Sequence, residues 1–140
     1  MIYFNEPKLI GKTKNIKKLK HFSSKGEYAE KCENWLKTKI KCKEALLVKS
    51  CTSALEMCAL LLNVNSNDEI IMPSFTSVST ANAFVLRGGK PIFVDIDKET
   101  CNIDISKIEK KITKKTKAIV VVHYAGISCD MDKIIKISKK

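Results

Sequence analysis

The chain predicts an α/β fold: a mostly parallel sheet with helices on both faces. Three observations carry this. Short apolar runs (Glu69-Ile70-Ile71-Met72, Pro91-Ile92-Phe93-Val94, Ala118-Ile119-Val120-Val121-Val122) alternate with helical patterns. The runs are almost uninterrupted by polar residues, as strands covered on both faces are. Polar residues follow the runs, at the carboxyl edge where such sheets bind ligands.

Composition sets the outer limits. A chain of 140 residues with 44% hydrophobic and 29% charged residues can bury one real core. The net charge of +11 comes almost entirely from lysine, Arg87 being the sole arginine. Nucleic-acid binders draw on arginine forks and stacked aromatics. These scattered lysines read instead as solvated faces, and docking on a polyanion is the weakest of the functional readings. Six cysteines show no C-x-x-C pair, and two histidines are too few to complete zinc sites. No basic-then-apolar leader opens the chain, and no apolar run reaches membrane-spanning length. A reduced, cytoplasmic protein without a membrane or nucleic-acid partner is the expectation, with Cys51 and Cys58 as small core residues.

The elements follow in order. Residues 1–26 are a polar lead-in in which His21 reads as a surface residue. Tyr28, Cys32, Trp35, Leu36 and Ile40 recur at helical spacing and predict an amphipathic helix from Glu27 to Ile40. Ala45-Leu46-Leu47-Val48 reads as a buried strand, and Ser50 as the N-cap of a helix running to Leu62. That helix is apolar almost all round, Glu56 being its one charged residue, so it is expected inside a large core. Asn63 to Asp68 makes a turn, Glu69 to Met72 a strand closed by Pro73, and Ser74 to Ser77 a loop. Val78 to Leu86 is a helix stopped by Gly88-Gly89. After the strand ending at Val94, Asn102 to Ile112 is expected to be helical, and Ala118 to Val122 is the clearest strand. Asp130 caps a last helix from Met131 to Ser138. No repeat or linker divides the chain, so one domain is expected over 1–140. The lead-in and first helix occupy 1–44, and the β/α core 45–140.

The Ser50–Ser53 turn, the Ser74–Ser77 loop, Asp95 and His123 all fall at one sheet edge. A helix that opens there presents unpaired backbone N–H groups and a positive dipole end, which suits a phosphate. An ordinary capped helix in an α/β core is the other reading of the same residues.

Five separated blocks together resemble the DegT-type sugar-nucleotide aminotransferases, most nearly those acting on dTDP-linked 4-keto-6-deoxyglucose. They are Ser50–Met57, Asp68–Thr76, Ser79–Gly88, Phe93–Ile96 and Val121–Gly126, in the family's order. The resemblance implies the large domain of a fold-type I enzyme using pyridoxal 5'-phosphate (PLP). It implies transfer of an amino group from glutamate to the C4 ketone of a nucleotide-linked 4-keto-6-deoxyhexose, in a homodimer when complete. It also implies that Cys51, Thr52 and Ser53 hold the cofactor phosphate, and that Ser77 and His123 lie beside the cofactor. The position of Ser77 usually carries an aromatic ring against the pyridine; serine has none. The family's glycine-rich lead-in is matched only by Ser23-Ser24-Lys25-Gly26. The acidic partner of the pyridinium nitrogen and the Schiff-base lysine match positions past Lys140, and no lysine here matches that motif. The resemblance therefore covers the N-terminal part of such an enzyme and an incomplete domain, with no catalytic residue assigned. The competing expectation is a truncated α/β binding or interaction module that does not catalyse.

Overall fold

The computed structural model describes residues 26–139. His21 and the Ser23–Lys25 part of the lead-in match lie outside them. The chain divides between Val48 and Lys49 into two compact units.

In the first unit, helix α1 (Glu27–Ile40) has the limits its spacing predicts. Glu27 and Glu30 sit in its first turn and Lys37 and Lys39 in its last, each sign opposing the helix dipole. Glu27 pairs with Lys31 one turn on, and Lys37 reaches Glu44 at 2.7 Å. The helix stops at Lys41, which takes the left-handed conformation (φ 58°). Tyr28 and Trp35 are exposed on it. The strand expected over Ala45–Val48 does not form. An apolar run becomes a strand only where a neighbour takes up its backbone groups. Among the described residues no ladder pairs with this one, and the Leu47 N–H goes to Glu33 Oε1 at 2.9 Å.

The second unit opens with α2 (Cys51–Leu61), capped by Ser50, whose Oγ accepts from the Ser53 N–H at 3.1 Å. Then come β1 (Glu69–Pro73), α3 (Val78–Val85), β2 (Lys90–Val94), α4 (Ile105–Ile108), β3 (Thr116–Ile119) and α5 (Met131–Ser138). The sheet order is β2-β1-β3 and both pairings are parallel, with Ile71 opposite Ile92 on one side and Ile119 on the other. Central β1 is covered on both faces. Ile70 and Met72 pack with Ala59 of α2 and Ala83 and Phe84 of α3. Ile71 packs with Val94, Ile108 of α4, and Ile134 and Ile137 of α5. Helices on both faces of a parallel sheet are thus what the alternating pattern requires.

Four expectations are corrected. Of α2 only Ala59 is buried, and Glu56, Cys51 and Cys58 are exposed. One turn of this helix meets the sheet, so an all-round apolar sequence does not translate into all-round burial. The core cysteine is Cys129, whose thiol is pushed up by burial. The helix expected over Asn102–Ile112 shrinks to α4 and a 3-10 turn, Glu109–Lys111. Asp104 caps it by accepting from Ser106 N–H at 3.0 Å, while Ile103 bridges back to Ile96. Strand β3 begins at Thr116 rather than Ala118 because β1 sets the register, and its last link is Val120 N–H to Ile71 O at 2.8 Å. Gly89 ends the α3 turn by donating to Phe84 O at 3.0 Å. A Cβ there would meet Val64 Cγ1 at 2.6 Å, so the position admits no side chain without movement. Among the described residues no helix is long and apolar enough to cross a membrane.

Candidate functional site

The chain passes from β1 through α3 to β2 on one side, then returns to β3 on the other side of β1. Such a reversal leaves a crevice past the carboxyl ends of the strands. A cavity of about 600 Å³ lies there. Phe75, Thr76 and Ser77 line it from the loop after β1, and Val120, Val121, Val122 and Tyr124 from the segment after β3. Cys51 and Leu55 contribute from α2, and Ser79 and Thr80 from α3.

Two helix N-termini therefore meet at one cavity. In α2, Cys51 and Thr52 occupy the first two helical positions, where a backbone N–H has no carbonyl one turn back to bond. The third N–H, that of Ser53, is committed to Ser50 Oγ, and Ser50 and Ser53 Oγ lie 3.0 Å apart. In α3, Ser77 is the N-cap, but its side chain makes no capping bond and pairs instead with Ser79 Oγ at 2.9 Å. Thr76 Oγ1 meets the buried Thr80 Oγ1 at 3.0 Å. The lining carries no ionised side chain, so its polarity comes from hydroxyls, a thiol and two positive dipole ends.

Of the site residues read from the sequence, Cys51 and Ser77 line the cavity, and Thr52 and Ser53 complete the same helical turn without lining it. His123 does not line it; its Nδ1 accepts from Cys129 N–H at 3.0 Å, which leaves Nε2 to carry the proton of the neutral ring. Asp95 is taken up by Lys107 at 3.1 Å.

The sequence profile of the DegT/DnrJ/EryC1/StrS aminotransferase family matches residues 6–140. The chain belongs to that family. The GDP-perosamine synthase of Escherichia coli O157:H7 is 43% identical over 117 residues, which are 84% of this chain and 32% of that protein. The PLP form of a putative sugar aminotransferase of Streptococcus pneumoniae superposes with a TM-score of 0.75 at 32% identity, over 80% of this chain and 29% of that one. A GDP-4-keto-6-deoxymannose-3-dehydratase, solved with a trapped PLP-glutamate geminal diamine, gives 0.72 at 32% identity, over 80% and 31%. The chain thus spans about a third of the length of these relatives.

Phe75, Tyr124 and Asn102 take no site role from the sequence, Phe75 because a loop neighbour of Ser77 need not point the same way. Phe75 was signalled by an aromatic on a loop otherwise made of small hydroxyl residues. Asn102 had no signal, since its bonds reach 22 and 25 residues along the chain.

Proposed function

We propose that this chain forms the phosphate-binding side of the cofactor site in a PLP-dependent sugar-nucleotide aminotransferase. The enzyme transfers an amino group from glutamate to the C4 ketone of a nucleotide-linked 4-keto-6-deoxyhexose. The observation that carries this reading is the convergence of the α2 and α3 N-termini on one apolar-walled cavity. The relative named a 3-dehydratase of a 4-keto-6-deoxy sugar, solved with PLP-bound glutamate, supports glutamate and a nucleotide-linked 4-keto-6-deoxy sugar as the molecule classes, while the aminotransferase family supports the amino transfer.

The residues present fit PLP. Its phosphate is a dianion, and unpaired N–H groups at a helix start bind one without needing a cation. Cys51, which lines the cavity, supplies such a donor and the unpaired N–H of Thr52 follows it on the same turn, reinforced by the α3 N-terminus and the hydroxyls of Ser77 and Ser79. Ser53 acts one step back, its N–H fixing the cap that aims the other two. Leu55 and Val120–Val122 give an apolar wall that excludes water from a flat ring. His123 holds the loop after β3 through Nδ1. When bound, PLP supplies the electron-withdrawing ring through which an amino group passes between carbon skeletons. Among the described residues no lysine lines the cavity, so these residues bind and orient.

The test removes one donor and leaves the fold intact. Cys51 is the first helical position and follows Ser50, whose backbone is extended (φ −159°, ψ 159°). Proline is well tolerated at that position and after an extended residue. Cys51→Pro should therefore keep its melting temperature and weaken PLP binding by about tenfold or more, the lower end of the ~1.5–3 kcal/mol of a charge-assisted hydrogen bond. Cys51→Ala should bind as the parent does. Equal PLP affinity for all three in equilibrium dialysis would place the phosphate elsewhere.

A further inference from the structure

The cavity holds two aromatic rings, neither at position 77. Phe75 and Tyr124 both line it, from the loops after β1 and β3. Their centroids are 5.1 Å apart with the planes tilted by 42°. A ring pair serving only to pack would be buried between elements, yet Phe75 is 47% and Tyr124 38% exposed. Their open surface faces the space beside the two helix N-termini.

The Tyr124 ring stands on a braced turn. Asn102, only 5% exposed, accepts from Tyr124 N–H through Oδ1 at 2.9 Å and donates from Nδ2 to Ile127 O at 2.9 Å. One side-chain amide thus ties both ends of a turn whose middle residues, Ala125 (φ 50°) and Gly126 (φ 83°), are left-handed. The His123 Nδ1 bond to Cys129 N–H and the Cys129 Sγ bond to Val122 O (3.3 Å) hold the flanks. Asn102 takes no part in lining the cavity, so whatever it does for a ligand it does through Tyr124.

We propose that Phe75 and Tyr124 together form the surface on which the pyridine ring of the cofactor lies, replacing the single aromatic absent at Ser77, and that Asn102 is the positioning residue for that surface. This rests on the PLP reading above. Offset and tilted ring contacts are favourable, so a V-shaped pair takes a flat heteroaromatic ring against one member and on the edge of the other. The helix N-termini would then hold the phosphate end and the rings the other end.

The test uses the whole chain with two probes, PLP and inorganic phosphate, each titrated by equilibrium dialysis against the parent, Phe75→Leu, Tyr124→Ala, Tyr124→Phe and Asn102→Ser. Phe75→Leu and Tyr124→Ala should each weaken PLP by about fivefold, the usual size of an aromatic pair contact, and leave inorganic phosphate unchanged. Tyr124→Phe should match the parent. Asn102→Ser should weaken PLP selectively, and the loss should fall away in a Tyr124→Ala background. Unchanged PLP affinity in both ring variants would overturn the ring surface and leave the phosphate reading standing. Equal loss of both probes would reduce the rings to a structural part and also overturn it. A parent that binds neither probe would remove both readings together. Should a variant not fold, the Tyr124 ring protons of the parent decide: they shift upfield on adding PLP if a ring stacks there, and stay put if none does.

Discussion

Helices α2 and α3 deliver the same kind of end to the same cavity but are built in opposite ways. Helix α2 is held at its start, where Ser50 Oγ caps Ser53 N–H, and fully buries only Ala59, with Leu55 half-buried against the core it shares with α3. Helix α3 has no side-chain cap but buries Thr80, Ala83 and Phe84. The first adds a side-chain cap to a light packed face, and the second relies on a heavier packed face alone. A dipole end can be aimed by either device. The difference lies in what disturbs it: loss of one hydroxyl on one side, loss of one ring on the other.

The largest effect should come from the packed partner. Phe84→Ala removes a fully buried ring from beneath α3 and should cost ~3–5 kcal/mol in chemical denaturation. The counterpart Leu61→Ala in α2, at a residue 77% exposed, should stay within ~0.5 kcal/mol. Comparable losses would mean that α2 is held by packing after all. Next come the caps. Ser50→Ala should cost ~1 kcal/mol and Ser77→Ala clearly less, since only the first hydroxyl satisfies a helix N–H. Reversed values would break the contrast at its centre.

The smallest effect is acid sensitivity, which separates α2 from the helices on the other face of the sheet. Asp104 caps α4 and Asp130 caps α5. The Asp104 carboxyl is held below its ordinary value, first by the Ser106 hydroxyl, and that of Asp130 first by Lys133. A carboxyl lowered in the folded state stabilises it above the unfolded value, near pH ~4, and that contribution is lost as pH falls further. The melting temperature should therefore drop below about pH 4. Replacing both with serine, a cap that does not titrate, should flatten the drop. The cap at Ser50 should be indifferent to pH throughout; an unchanged acid profile in the double variant would show that other carboxylates govern it.

Helix starts were legible in the sequence because capping is local: Ser50 and Asp130 announce α2 and α5 within three residues. Strand β1 and the parallel class were legible because burial on both faces leaves an unbroken apolar run. What stayed hidden depends on distant partners. Ala45–Val48 has strand composition but no ladder, and nothing in those four residues reveals that. The exposure of Cys51 and Cys58 follows from how narrow a strip of α2 meets the sheet, which helical periodicity does not report when every side is apolar. In the cavity, Cys51 and Ser77 were readable from their place at an element end. Tyr124 lines it from a turn whose N–H bonds to Asn102, 22 residues earlier, a partner that no local pattern reports.

The chain's one tryptophan, Trp35, stands exposed on α1 in the first unit, while the unit from Lys49 onward has Tyr124 as its sole tyrosine and no tryptophan. The two units thus carry separate optical reporters. Selectively excited indole emission comes from α1, whereas tyrosine signals in the second unit come from the cavity wall itself.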